Sequence, residues 1–297
     1  MTGDPVVVIG NFDGVHRGHV ELLRVARAAE PQAPLVAVTF WPHPMSVIRP
    51  DQAPPLLTSL EARTALLRDS GVDKTVVVEF TSEVAGWSPE QFVREVLEPL
   101  HPCRVVVGEN FRFGFRAAGT VATLIELAAG RFVVQPVELV TDGALASSST
   151  LIRHAVLEGD FGRVRELSDS TFRSSGVVVK GDQRGRLLGY PTANVAVTPG
   201  MVVPADGVYA GWVTRLDEAS PRWPAAISVG SNPTFDGVER RIEAYVLDRD
   251  DLELYGVEIA IDFYARIRGQ VRFAGMDALI EQMHHDVEQI RHVLQAP

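Results

Sequence analysis

His16 and His19 stand three residues apart in the stretch GNFDGVHRGH, residues 10–19, directly after the apolar run VVVI. On the first turn of a helix that spacing puts both imidazoles on one face. A helix start offers backbone N–H groups and the positive end of the helix dipole, which together seat phosphate. Gly14 and Gly18 allow close approach of the backbone to such a ligand. Two imidazole donors at this place could hold a triphosphate and stabilise charge developing on it. The pair could also ligate a metal, although the single cysteine, Cys103, is remote and no third ligand is evident. Packing inside a loop is the plain structural alternative for both rings.

A second cluster is SSSTLIR, residues 147–153. Three hydroxyls in a row predict a helix N-cap near Ser149 or Thr150, with Arg153 one turn later. Hydroxyls, backbone N–H groups and an arginine at one helix start again suit phosphate. Taken alone, the cluster reads as a well-capped helix. There is no G-x-x-x-x-G-K-[ST] stretch, which argues against P-loop chemistry.

The elements that must position these residues follow two grammars. In the first half, apolar runs at 6–9, 35–40, 75–79, 104–108 and 132–137 predict strands. Helices are predicted between them at 18–30, 60–69, 89–97 (with Ser88 as N-cap) and 121–129. Strands alternating with helices imply a parallel sheet covered on both faces, with ligands beyond the carboxyl ends of the strands. The residues that follow the strands, at 10–19, 41–44 and 108–119, therefore matter most. After about residue 170, strands are predicted at 176–180, 208–213, 225–229, 241–247 and 258–265 without helices between them. They suggest an antiparallel sheet or small barrel, closed by an amphipathic helix at 276–294. The polar stretch at 168–175 reads as a linker.

Bulk composition agrees with a globular chain of two domains: 297 residues, 46% hydrophobic and 22% charged. A net charge of -10 gives nucleic-acid binding no support, while small anions need only a local group of donors. One cysteine allows no disulfide within the chain and fits a reducing cytoplasm. Neither a signal peptide nor an apolar run long enough to span a membrane is read in the sequence.

The His-Arg-Gly-His motif, followed later by a Ser/Thr-rich helix start, is the pattern of the nucleotidylyltransferase superfamily. Class I aminoacyl-tRNA synthetases carry a related motif, but they are longer and use a lysine-rich second motif not found here. Further stretches narrow the resemblance: VTFWPHP (38–44), VGENFRFG (107–114), GDQRGRLLGYPTAN (181–194), PADGVYAGWV (204–213), SVGSNPTF (228–235) and LYGVEIAIDF (254–263). Together they resemble the prokaryotic bifunctional riboflavin kinase/FMN adenylyltransferases, also called FAD synthetases, over about residues 6–294.

That resemblance implies a fold class of α/β plus β. An N-terminal Rossmann-like nucleotidylyltransferase domain would occupy residues 1–168. A C-terminal riboflavin-kinase antiparallel β-barrel with a terminal helix would occupy 169–297. It implies two reactions, phosphorylation of riboflavin by ATP to FMN and adenylylation of FMN by ATP to FAD and pyrophosphate. Both would use Mg²⁺, with ATP as co-substrate, in the cytoplasm. The alternative is a riboflavin kinase alone, with a weak or regulatory N-terminal domain.

Carried onto this sequence, the resemblance gives His16, His19, Glu243 and Asn194 catalytic roles. It implies phosphate or ATP contacts for Asn11, Phe12, Asp13, Gly14, Gly18, Ser149, Thr150 and Arg153. In the second half it implies them for Gly181, Arg184, Gly185, Arg186 and Thr192. His43, Asn110, Phe111, Phe113 and Tyr190 would meet flavin; Phe111 and Phe113 could equally be core. Thr192 and Asn194, two apart on an extended segment, point to one side and offer hard oxygen atoms for Mg²⁺. Glu243, between Ile242 and Ala244 in sequence, is a candidate base for the ribityl hydroxyl, with a solvated strand-face carboxylate as the alternative.

Two departures from the family pattern stand out: the polar linker, and Ala146, two positions before Ser148-Ser149-Thr150, where the family usually has a basic residue. A charge-assisted hydrogen bond to phosphate contributes about 1.5–3 kcal/mol. That is roughly 10- to 150-fold in affinity. Ala146→Arg is therefore expected to lower the Michaelis constant for FAD formation. If it changes nothing while Arg112→Ala or Arg116→Ala raises that constant, one of those arginines supplies the missing cation. If none of the three matters, phosphate binding here needs no side-chain cation and this account is wrong.

Overall fold

Val6–Ile9 form strand β1, and all four side chains are buried. A strand buried on both sides needs two covering layers, and the sheet around it has them. The computed structural model describes residues 3–138, 141–142, 145–146, 148–181, 189–219, 221–234 and 237–295. Within those, residues 141–142, 145–146, 231–234 and 237–239 are described through the backbone alone. The chain divides into two compact units, Met1–Ser149 and Thr150–Pro297.

In the first unit β1 lies between β2 (Leu35–Trp41) and β4 (Arg104–Gly108). Outside them run β3 (Lys74–Glu79) and β5 (Val133–Val137), in the order β3-β2-β1-β4-β5. Every pairing in this sheet is parallel. Alternate residues feed two cores. Val6, Val8, Leu35, Ala37 and Val106 pack with Leu22, Leu23 and Ala26 of helix α1 (Arg17–Ala29). Val7, Ile9, Val36, Val38, Val105 and Val107 pack on the opposite side, against Phe92, Val96, Leu97 and Leu124. The order of the strands reverses at β1, so the loops after β1 and β4 diverge and open a crevice at the carboxyl ends.

Shorter helices complete the unit: α2 (Pro44–Ile48), α3 (Leu60–Asp69), α4 (Ser82–Ala85), α5 (Pro89–Phe92) and α6 (Val121–Ala128). The expected 89–97 helix begins as α5, with Ser88 Oγ accepting from the Gln91 N–H at 3.2 Å. It then widens into a π turn at Val93–Leu97 and tightens into a 3₁₀ turn at Glu98–Leu100. Pro99, with no N–H to give, cannot continue a regular ladder there. Two-residue strands β6 (Thr141–Asp142) and β7 (Leu145–Ala146) pair antiparallel.

The second unit begins with helices α7 (Ser149–Glu158, whose first residue belongs to the first unit) and α8 (Phe161–Ser168). Six strands then close a barrel in the order β10-β11-β12-β9-β8-β13. They are β8 (Phe172–Val179), β9 (Ala193–Val195), β10 (Gly207–Arg215), β11 (Trp223–Thr234), β12 (Gly237–Val246) and β13 (Glu258–Arg268). All neighbours are antiparallel. At Gly211 a Cβ would fall 2.1 Å from the Asp262 carbonyl, so the approach of β10 to β13 requires glycine. Helix α9 (Met276–Gln295) seats Ile290 against Val208, Ala210 and Leu247, and its buried Asp286 pairs with Arg268 of β13 at 2.7 Å.

The second half of the polar stretch expected to be a linker, residues 172–175, is strand. Ser168 ends α8, and Arg173, Ser174 and Ser175 of β8 pair with Asp262, Ile261 and Ala260 of β13. Arg173 reaches the buried Asp262 carboxylate through two hydrogen bonds of 2.7 and 2.9 Å. The charge at Arg173 thus serves an ion pair across two strands.

Candidate active sites

The turn between β1 and α1 carries the two histidines. Phe12 and Val15 adopt positive φ of 51° and 36°, and Gly14 has 86°. A Cβ at Gly14 would also meet Leu57 at 2.8 Å, so the turn needs glycine twice over. Phe12 is fully buried and its ring lies 5.0 Å from that of His19. His16 is the N-cap residue of α1, without a side-chain cap bond. The rings of His16 and His19 stack at 3.7 Å and 24°. Two imidazolium ions cannot share that contact cheaply. Burial first, then His16 and the guanidinium of Arg63, hold the His19 imidazole well below its ordinary value of 6.5. Its buried Nδ1 has no hydrogen-bond partner among the described residues.

Asp13 is 1% exposed and faces away from the crevice. Its carboxylate accepts from the N–H groups of Leu57 (3.1 Å) and Thr58 (3.0 Å) and from the Thr58 hydroxyl (2.9 Å). Arg63 approaches it at 3.5 Å. Asp13 therefore shapes the turn from behind. Its carbonyl accepts from Ser149 Oγ at 2.7 Å. The helix begins at Ser149 itself, one residue earlier than a Ser149 cap would require. Thr150 is exposed and Arg153 is buried one turn on.

The other expected residues of this unit lie after neighbouring strands. Asn11 is exposed, and its carbonyl accepts from the Thr39 hydroxyl at 3.0 Å. His43 is buried at the start of α2, where its Nδ1 accepts from the Met45 N–H at 3.1 Å. Asn110 is exposed after β4. Phe113 is buried in the core against Phe92, and Phe111 stacks on it at 5.4 Å and 11°. Gly18 sits half-buried on α1.

In the barrel, Asn194 of β9 and Glu243 of β12 are direct register partners. Paired residues of an antiparallel sheet project to one face, with Cβ atoms roughly 4.5–5.5 Å apart. Glu243 faces Ser228 on its other side, and Gln270 Nε2 reaches the Ser228 hydroxyl at 3.3 Å. Asn194 is 7% exposed, and its Oδ1 has no hydrogen-bond partner among the described residues. Gly181 lies over it: a Cβ there would fall 2.5 Å from the Asn194 amide. Asn194 helps to line a cavity of about 410 Å³, together with Thr192, Pro191, Gly189, Asp250, Glu253 and Tyr255. Tyr190 turns elsewhere. Its hydroxyl meets His284 Nδ1 of α9 at 2.7 Å, and its ring packs edge-on to Tyr245 at 5.1 Å. Arg184, Gly185 and Arg186 lie outside the described residues.

Comparison with known proteins falls on both units. A family model described as FAD synthetase matches residues 2–151, and one described as riboflavin kinase matches residues 168–294. A bifunctional riboflavin kinase/FMN adenylyltransferase from Listeria monocytogenes is 35% identical over 96% of this chain and 91% of its own. One from Escherichia coli K12 is 34% identical over 95% and 90%. The chain belongs to the bifunctional riboflavin kinase/FMN adenylyltransferase family. The crystal structure of a Streptococcus pneumoniae protein named macrolide-efflux protein is also similar, with TM-score 0.88 and 33% identity over 98% of this chain and 95% of its own. No helix among the described residues here is long and apolar enough to cross a membrane.

The FAD-synthetase region contains two residues that sequence reasoning passed over, Thr58 and Arg63. Arg63 had left a signal. It lies on the Leu60, Arg63, Leu67 stripe of α3, where periodicity predicts apolar side chains, and it is fully buried. In the riboflavin-kinase region the missed elements are the wall at 249–255 and the Ser228–Gln270 contact beside Glu243. Both come together only when the barrel closes.

The depressed His19 value has a consequence for stability. Below about pH 6.5 the unfolded chain takes up a proton at His19 that the folded chain refuses until much lower pH. The stability contributed by neutral His19 is thus complete above 6.5 and lost as pH falls below it, by about 1.4 kcal/mol per pH unit at most. Thermal unfolding at pH 7.5 and 5.5 checks this. His19→Asn is expected to shrink the loss seen in wild type, and an unchanged loss refutes it.

Proposed function

We propose that this protein makes FAD from riboflavin in two steps, each in its own region of the chain. The observation that carries the reading is the fall of two enzyme families on one chain, FAD synthetase at 2–151 and riboflavin kinase at 168–294. The presence of both regions favours this over a kinase with a merely regulatory first half. We assign residues 1–168 and 169–297 to the two reactions. Both consume ATP, and with the one free cysteine, Cys103, that supports the cytoplasm as the site of action.

In the kinase step the ribityl hydroxyl of riboflavin attacks the γ-phosphorus of ATP. The new O–P bond forms as the bond to ADP breaks, and Glu243 accepts the hydroxyl proton. The nucleotide lies in the cavity on one side of Asn194 and the hydroxyl on the Glu243 side. Thr192 and Asn194 would hold Mg²⁺; the buried, unpartnered Oδ1 of Asn194 and the Gly181 backbone over it fit a hard cation. When bound, the ion supplies positive charge to the phosphates. By the resemblance, Gly181 and the arginines at 184 and 186 would contact those phosphates.

In the adenylyltransferase step an FMN phosphate oxygen attacks the α-phosphorus of ATP, and pyrophosphate leaves. No covalent intermediate is needed, so positioning and charge stabilisation carry the rate. The start of α1 supplies N–H groups and dipole. His16 and neutral His19 donate ring N–H groups to the phosphates, and Gly14 and Gly18 permit close approach. Ser149 donates to the Asp13 carbonyl of the turn, and by sequence Thr150 and Arg153 are the remaining donors of that motif. Asn11 would contact the ATP phosphates, and His43, Asn110 and Phe111 would meet flavin. Phe12, Asp13 and Phe113 act from the core, by holding these groups in place.

Chromatography of riboflavin, ATP and Mg²⁺ with the full chain tests the reading, with FMN and FAD as the expected products. His16→Ala with His19→Ala is expected to abolish FAD formation and leave FMN formation intact. Loss of both products from the folded double variant would refute two separate sites. Glu243→Gln is expected to slow FMN formation by about 10²–10⁴-fold, the usual loss for a general base, without affecting adenylylation of added FMN. A wild-type rate of phosphorylation would remove Glu243 from that role.

A further inference from the structure

Among the described residues, none of α9 lines the cavity that Thr192 and Asn194 share. The helix nevertheless holds two segments that do. Residues 189–192 and 249–255 supply much of the lining and lie outside helices and strands. Among the described residues, no backbone hydrogen bond outside the strand ladders is made by residues 189–192. Their side-chain anchor is Tyr190, 7% exposed, whose hydroxyl meets His284 Nδ1 at 2.7 Å. The Tyr190 ring also packs edge-on to those of Tyr245 and His284, at 5.1 and 5.6 Å. The second segment follows Asp248, which turns the chain out of β12 at a φ of 58°. Arg291 grips that carboxylate with two hydrogen bonds of 2.8 and 2.6 Å. His284 and Arg291 are seven residues apart, close to two helical turns, so they share one flank of α9. The helix is fixed to the barrel by other residues, through Ile290 and through Asp286, which pairs with Arg268 and accepts from Gln282 Nε2 at 2.8 Å.

We propose that α9 braces the nucleotide cavity, with His284 acting through Tyr190 and Arg291 through Asp248 as positioning residues for the kinase step. This rests on the assignment of riboflavin phosphorylation to the second region. Neither contact is needed to keep the helix in place. An exposed ion pair such as Arg291–Asp248 adds little to stability, but its two parallel bonds fix a direction. A phenylalanine at 190 would fill the same space, and the hydroxyl adds one directed tie to it. What the two contacts share is their place: each ends on chain that runs straight into the cavity lining. Thr192, assigned to Mg²⁺, stands two residues after Tyr190. A strip that no ladder holds must be fixed by side chains if its oxygen atoms are to meet a nucleotide without further ordering.

The test uses the full chain and measures riboflavin phosphorylation, as FMN plus FAD, over a range of ATP concentrations. FAD formation from added FMN is measured in parallel. Tyr190→Phe and His284→Leu are each expected to raise the KM for ATP in phosphorylation by roughly 2- to 10-fold, the range one neutral hydrogen bond spans, with kcat changed by less than about twofold. The double variant is expected to do no more than either single one, because both remove the same contact. His284→Asn, whose amide can stand in for Nδ1, is expected to recover the wild-type KM. Arg291→Gln is expected to raise it at low salt and to match wild type at high salt, where an exposed ion pair is screened. FAD formation from FMN is expected to be unchanged by His284→Leu and by Arg291→Gln. A merely structural role would lower kcat or thermal stability with the KM unmoved, or give additive losses without rescue by asparagine, and either result overturns the proposal. Should His284→Leu not fold, Tyr190→Phe removes a single hydroxyl, and an unmoved KM for ATP overturns the proposal equally. If wild type adenylylates FMN but forms no FMN from riboflavin, the assignment of the second region fails instead.

Discussion

A carboxylate removed from water must be paired, hydrogen-bonded or protonated. Asp13 is 1% exposed in the turn that carries His16 to the start of α1. Its two oxygens collect the N–H groups of Leu57 and Thr58, the Thr58 hydroxyl and Arg63. This pins the segment ahead of α3 against the segment ahead of α1. With that bond set in place, Phe12 is forced inward, the backbone passes through positive φ at three of four residues, and His16 arrives at the helix start with its ring stacked on His19. The histidine site is thus a surface consequence of an interior constraint. The loop could not hold its strained shape without it.

The barrel achieves its own placement differently. There the constraint is register. Antiparallel pairing of β9 with β12 sets Asn194 opposite Glu243, and β11 sets Ser228 on the other side. A slip of one residue in β9 would send Asn194 into the barrel interior, where Ala193 and Val195 now pack. Glycines at 181 and 211 are required by close approach, one over an amide and one beside a backbone carbonyl. Helix α9 covers the outer face through Ile290 and the Arg268–Asp286 pair and takes up Tyr190 through His284.

The two sites also differ in electrostatic character, as their chemistry asks. On the proposed assignment the first would offer a histidine pair at a helix start to a phosphate attacking a phosphate, a reaction that needs no proton removed. The second would offer a carboxylate to a hydroxyl that must lose one. A net charge of -10 says nothing of this, because each site works through a few groups within a short radius.

Alternation of strands and helices in the first half, and of strands and turns in the second, determined the two architectures, because period and turn chemistry are local properties. The motif at 10–19 likewise singled out His16 and His19 from residue type and spacing, while Thr192 and Asn194 stood out only through the family resemblance of 181–194. Other features were legible only in three dimensions. The strand at Ala193–Val195 is too short to show a period, and residues 172–175 look like a linker until Asp262 lies across from Arg173. Asp13 reads as a ligand-facing residue until Leu57 and Thr58, more than forty positions on, claim its oxygens. Tyr190 points at the kinase motif in sequence and at α9 in space. In each case the deciding partner comes from a distant part of the chain. Only the closed sheet and barrel bring those partners within hydrogen-bonding reach.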